Sequence, residues 1–286
     1  MSEARSGVRG GVPRPPSEVA SYARWVQTFE SLGCDAPELR SVVSARSVSP
    51  AREVSARVTV GRVRDAGSDG SGSAARSPQT GTESEVESER GAQVDAEAVS
   101  VLCHADVLAR YSEAHRAYHT VQHLAECFEH FDGVRARADR PGEVELALWL
   151  HDVIYDTRTA DSEARSAQIA RVLVDRAGGG ADVGERVAEL ILATRHSAAP
   201  EAPDAQLLVD IDLAILGADT ARFAEYEEQV RREYAFVPSE AFVAARVRVL
   251  SGFLARPSIY ATDHFRALLE GRARDNLARS IRALGG

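Results

Sequence analysis

The sequence predicts an all-α protein. Three observations carry that reading. From about Asp95 onward apolar residues recur at helical spacing. The segments so defined are separated by short punctuation of Gly, Pro and Asp. No convincing set of alternating strands appears after residue 95. The chain is organised around E-V-E-L-A-L-W-L-H-D-V-I-Y-D, from Glu143 to Asp156, whose apolar residues leave little polar face until the ends.

Residues 1–16 are rich in Gly, Pro and Arg and read as a disordered tail. Ser17, after Pro15 and Pro16, is placed to cap a helix with Val19, Tyr22, Trp25, Val26 and Phe29 on one face, stopped at Gly33. A weaker helical pattern follows from Ala36 to about Val43, so 17–43 is expected to pack on the core as an N-terminal helix. The composition then changes. Residues 44–94 are dominated by Ser, Gly, Arg and Glu, too little apolar surface to offset the entropy of ordering, and are expected to form a disordered insertion. Within it 54–63 alternates well enough for a short strand that lacks an obvious partner.

Residues 95–286 form the expected catalytic domain. Helices are predicted over about 96–111, 120–132 and 142–155. Asp161 is placed to cap the next, which runs to Ala177 before Gly178, Gly179 and Gly180. Further helices are expected over 183–195, 205–216 and 220–234, from a Ser239 cap to Ala255, and over 263–284.

The bulk numbers exclude some function classes. The chain has 286 residues, 44% of them hydrophobic, enough for one substantial core or two small ones. A net charge of −9 argues against nonspecific nucleic-acid or membrane-surface binding. All 34 basic residues are Arg, which removes Schiff-base and P-loop lysine chemistry. Cys34, Cys103 and Cys127 are widely spaced, odd in number, and suit free thiols in a reducing compartment. Cys127, in an apolar helical stretch, reads as buried packing. With no apolar leader region and no membrane-length run, a soluble cytoplasmic protein is the expectation.

Chemistry enters where polar residues interrupt apolar runs. His151 and Asp152 sit inside the central segment, where desolvating them is costly unless something compensates. A bound cation does so by keeping Asp ionised and His neutral; a core His–Asp hydrogen bond would also serve. His119 and His123, in Y-H-T-V-Q-H-L, stand four apart and share a face if the helix has begun. His196 ends L-I-L-A-T-R-H, where it could simply complement a helix dipole. Asp210 and Asp212 interrupt V-D-I-D-L-A-I-L-G. Imidazoles with one or two carboxylates make a mixed N/O site suited to a divalent first-row ion.

The residues Y-S-E-A-H-R-A-Y-H-T-V-Q-H-L, L-A-L-W-L-H-D-V-I-Y-D, D-S-E-A-R-S-A, L-I-L-A-T-R-H, D-I-D-L-A-I-L-G, R-R-E-Y and R-P-S-I-Y-A-T together resemble the HD superfamily of metal-dependent phosphohydrolases. More narrowly they resemble a bacterial group of predicted HD phosphohydrolases whose substrate is not established. The resemblance implies an HD-domain helical bundle in which His123, His151, Asp152 and Asp212 ligate the metal, Asp212 being preferred to Asp210. It implies one or two divalent ions (Mn, Mg, Co, Ni, Fe or Zn), with Asp152 able to bridge two. The Y-H-x-x-x-H spacing is also similar to that of cyclic-nucleotide phosphodiesterases, which implies His119 as the proton donor to the leaving oxygen; a role orienting another ligand is the alternative.

His196 stands as a further ligand, a second-ion ligand or a substrate contact. Glu163, with Asp156 and Ser166, follows the central pair closely and could hold the attacking water or orient a ligand His, or be a helix N-terminal charge like Asp161. For the substrate phosphate the candidates are Arg195, Arg158, Arg231 and Arg232, with Arg195 best placed beside His196. The expected activity is hydrolysis of a phosphomono- or diester, a nucleotide or other small phosphorylated metabolite, with catalytic roles for His119, Asp152 and Glu163. Two alternatives stay open: an HD-type di-iron oxygenase, and a non-catalytic nucleotide-binding regulatory module.

Overall fold

The computed structural model describes residues 15–34 and 104–286. Among the described residues all regular structure is helical, without a strand. Residues 1–14 of the expected tail, the 36–43 helical pattern, the 44–94 insertion, the 54–63 strand and the start of the 96–111 helix lie outside the described residues. Pro15 and Pro16, expected in the tail, are the N-cap and first residue of the first helix. The helices are α1 (Pro16–Val19), α2 (Tyr22–Ser31), α3 (His104–Arg110), α4 (Val121–Val134), α5 (Pro141–Leu150) and α6 (Ser162–Arg176). They continue with α7 (Ala181–Ala193), α8 (Pro203–Asp212), α9 (Thr220–Glu233), α10 (Ser239–Leu254) and α11 (Asp263–Ala283). A 3₁₀ turn, Leu213–Gly217, links α8 to α9. Among the described residues no helix is long and apolar enough to cross a membrane.

Helix α5 is the hub, packed against α2, α4, α6, α7 and α8. Every residue from Gly142 to Leu150 is buried, and a fully buried Leu such as Leu146 or Leu148 contributes about 1.5–3 kcal/mol. Its two glutamates are buried with it and are paired. Glu143 meets Arg186 at 2.6 Å, and Glu145 meets Arg24 at 2.7 Å and Arg135 at 2.6 Å. The N-terminal helix docks on this hub through Trp25, which stands edge-on to Trp149 at 5.3 Å. Trp149 Nε1 donates to Thr28 Oγ1 across the same joint.

Several helix ends differ from the sequence expectation, each for a local reason. The central helix stops at Leu150 rather than Tyr155. Arg116, fully buried, donates to Asp152 O (2.6 Å) and Val153 O (3.2 Å), and Ser166 Oγ accepts from Ile154 N. The backbone groups that would continue the helix are thereby engaged elsewhere. His151 therefore occupies the C-cap and Asp152 the turn beyond it. Ser17 lies inside the one-turn α1, and Ser21 caps α2 by accepting from Arg24 N. Ser239 is the first residue of α10, with Pro238 at the cap. Asp161 holds the N-cap position of α6 but makes no capping hydrogen bond.

The α8–3₁₀–α11 corner fixes one side of the site. Asp210 is buried and accepts from Ala261 N (2.8 Å), Thr262 N (2.7 Å) and Thr262 Oγ1 (2.6 Å), tying α8 to the start of α11. Gly217 lets the turn approach α11 closely, because a Cβ there would lie 2.6 Å from Leu269 Cβ and 3.0 Å from Leu269 O. Gly217→Ala is expected to lower stability by about 1–3 kcal/mol through overpacking, read as a lower urea midpoint. An unchanged midpoint would show that this contact does not hold the corner.

Candidate metal centre

Four stretches deliver the site. His123 lies in the first turn of α4, which Thr120 caps by accepting from Gln122 N. His151 caps the C-terminus of α5, Asp212 ends α8, and His196 lies three residues past the end of α7. The C-terminal ends of three helices therefore meet here, and the partial negative charge of helix C-termini favours a cation. His196 has φ +54°, a left-handed conformation that His adopts more readily than most residues and that turns it back toward Asp212.

The donors converge. His151 Nδ1 donates to Leu148 O at 2.9 Å, which directs its Nε2 into the cluster. That Nε2 is 3.1 Å from His123 Nε2, 3.1 Å from Asp152 Oδ2 and 3.6 Å from Asp212 Oδ1. His123 Nε2 lies 3.3 Å from Asp212 Oδ1 and 3.6 Å from Asp152 Oδ2. The other oxygen of Asp212 meets His196 Nε2 at 3.0 Å. Donors about 2.1 Å from a first-row ion stand about 3.0–3.4 Å from their neighbours, close to this set. The two imidazole nitrogens at 3.1 Å share a hydrogen bond, and two imidazoles with two carboxylates make a donor set that fits a divalent cation.

Cys127 belongs to the same buried group, whose ligand atoms with those of His123, His151 and Asp212 lie within 4.8 Å of one another. Its Sγ is 3.8 Å from both ring nitrogens of His123. Burial, with Asp212 and Glu126 nearby, raises its pKa well above the usual thiol value, although a coordinated cation would itself deprotonate a thiol. Cys127 and Asp152 thus both stand within reach of the imidazoles as a further donor.

Beside the cluster, Glu233 is a buried carboxylate satisfied five times. Its Oε1 accepts from Ala117 N (2.8 Å), Tyr118 N (2.8 Å) and His119 N (3.0 Å). Its Oε2 accepts from His119 Nδ1 (2.8 Å) and Tyr155 Oη (2.8 Å). Burial disfavours the anion, but these donors outweigh it and hold the pKa at about 2. The Nδ1–H of His119 is thus fixed on Glu233, leaving Nε2 as the exchangeable nitrogen, with the ring stacked on Tyr155 at 3.9 Å. Arg116 supports the same loop by donating to His119 O as well as to the turn after α5.

Two cavities open on these groups, of about 420 Å³ and about 260 Å³, and both are lined by His119, Tyr155, His196, Asp212 and Tyr234. Asp152, Asp156 and Glu163 line the smaller one. None of the four arginines expected for phosphate lines either cavity. Arg195 is exposed, Arg158 is exposed over the Phe236 ring, and Arg231 donates to Tyr234 O and Val237 O. Arg232 is exposed too. Among the described residues the arginine that lines the larger cavity is Arg246, which the sequence reading missed, as it missed Glu233, Arg116 and Tyr118. Glu233 and Arg116 stood inside quoted motifs, R-R-E-Y and H-R-A-Y-H. Their neighbours in sequence are largely polar or charged, so nothing local set them apart from surface residues. Ser166 is buried and serves the turn backbone.

No family model matches the chain, and no curated protein or solved structure matches it. The assignment of ligands therefore stands on the geometry above.

Burial disfavours a charged His151, but Asp152, with hydrogen bonds to Asp152 and Asp212, outweighs it and holds its pKa well above 6.5. Burial likewise opposes ionised Asp152 and Asp212, yet the facing imidazoles hold both below the usual carboxylate range. In the metal-free protein the imidazole proton stabilises the fold fully below about pH 6.5, and that contribution fades as pH rises through the folded value. A cation must displace the proton. Adding Zn²⁺ or Mn²⁺ to metal-free protein in weak buffer near neutrality is expected to release protons, and apparent affinity to tighten from pH 6 to 8. Affinity constant over that range would contradict the site's proton economy.

Proposed function

We propose that the protein is a metal-dependent phosphohydrolase of HD type, hydrolysing the phosphate ester of a small metabolite. What supports this most directly is the meeting of His123, His151, Asp152 and Asp212, with Glu233-oriented His119 lining the adjoining cavities. A divalent cation held by those four residues would polarise a phosphoryl oxygen and make water a usable nucleophile near neutral pH.

The chain's own residues would supply the rest. Asp152 and Asp212 stay ionised and fix the charge of the site; His196, on the second oxygen of Asp212, holds that carboxylate in orientation. Burial works against a charged His119, but Asp152 and Glu233 outweigh it and raise its pKa above 6.5. That shift favours the protonated ring, whose Nε2–H can be given to the leaving oxygen. Tyr155 and Glu233 keep the ring from turning. Glu163, in the smaller cavity with Asp152, is placed to orient water there.

The test is metal analysis of purified protein, followed by a phosphatase screen with Mn²⁺, Mg²⁺, Co²⁺ and Ni²⁺. His151→Ala and Asp152→Ala are expected to lose both bound metal and activity; full activity in a metal-free double variant ends the proposal. His119→Ala should keep the metal while kcat falls about 10²–10⁴-fold on alkyl esters, and less on p-nitrophenyl phosphate, whose leaving group needs no proton. Glu233→Gln removes the charge that raises His119, so the alkaline limb of the kcat–pH profile should move to lower pH. Iron in the native metal content with no phosphatase activity would point instead to an oxygenase.

A further inference from the structure

The larger cavity has a wall whose chemistry the hydrolytic reading leaves unused. Beyond His119, His196, Asp212 and Arg246 its surface is largely hydrocarbon and aromatic: Leu213 and Leu216 of the 3₁₀ turn, Val230 of α9, and a face of α10. On α10 the lining residues Phe242, Ala245, Val249 and Phe253 follow helical spacing, the pattern of a face meant to be covered. Yet Leu250 is the one fully buried residue of that helix, and Val249 is 49% exposed. Phe242 and Phe253 of this stripe pack partly against the core, while Ala245 and Val249 are left exposed in the cavity lining, with Arg246 beside them.

Besides His119, His196 and Asp212, the polar side-chain atoms of the lining are four tyrosine hydroxyls and the Arg246 guanidinium. The polar head of a ligand would meet the cluster end of the cavity, where His119 and Asp212 keep part of their side-chain surface open. The lining includes no Asn, Gln, Ser or Thr side chain. A nucleoside brings a base edge and ribose hydroxyls, and burying these unpaired would weaken its binding steeply.

We infer that this cavity receives the alcohol portion of a phosphate ester, and that this portion is an apolar alkyl or aryl group rather than a nucleoside. The inference rests on the proposed function for its phosphate and on the cavity wall for its selectivity. About 420 Å³ lies within the range of small-molecule pockets.

The experiment is calorimetric titration of the full chain with butyl, hexyl and octyl phosphate and with adenosine 5′-monophosphate, which share a phosphate head. Affinity is expected to rise about fourfold per added methylene, with the nucleotide at least about tenfold weaker than hexyl phosphate. Ala245 is exposed at the mouth, so Ala245→Trp should fold normally. It should flatten the alkyl series while leaving bound metal unchanged. Equal affinity along the series, tighter binding of the nucleotide, or an unaltered series in Ala245→Trp would overturn the inference, as would binding of none of them. A chain-length series with no hydrolysis of any ester would leave the cavity's preference standing and remove the phosphohydrolase reading instead.

Discussion

Two imidazole nitrogens facing each other at 3.1 Å are the constraint on which this site depends. Each ring is held from behind, His151 by the carbonyl of Leu148 and His123 by its place in the capped first turn of α4. Neither can retreat without disturbing a buried helix end. The proton those rings share, or a cation in its place, is what Asp152 and Asp212 are arranged to stabilise. A site of this kind is pre-organised: its charges are already oriented, so little reorganisation accompanies arrival of a cation.

Three buried polar side chains around the site are anchored to backbone: Arg116 on the carbonyls of His119, Asp152 and Val153, Glu233 on three successive N–H groups, and Asp210 on the N–H groups just before α11. Such contacts satisfy charges that would otherwise be costly to bury, and each joins segments distant in sequence. Glu233 ties the end of α9 to the loop before α4, and Arg116 ties that loop to the turn after α5. The geometry of the candidate site is therefore set by side chains outside the donor cluster itself.

The sequence made the helices legible because their apolar spacing and their Gly and Pro stops are local signals. It also made His123, His151, Asp152 and Asp212 conspicuous as charged or polar residues in apolar runs. Asp210 and Asp212 looked alike in sequence; only the return of α11 separates them, by giving Asp210 three donors and leaving Asp212 to the imidazoles. The break after Leu150 was not legible, since it depends on Arg116 arriving from more than thirty residues upstream. The phosphate arginines were misplaced for a related reason. Adjacency in sequence put Arg195 next to His196, but the left-handed turn at His196 sends the two side chains to different surroundings. Glu163 was found as a lining residue through its closeness to the central pair, which the tight turn before α6 preserves.

The joint between α2 and α5 has an optical consequence. Trp25 and Trp149 are the chain's two tryptophans, and they stand edge to face in the same buried seam. Intrinsic emission therefore samples one place, the seating of the N-terminal helix on the hub. Trp149 lies only two residues before His151, so the colour of that emission also reports on the backbone that carries the metal donors. The molecule holds a fluorometer at the junction between its first helix and its site.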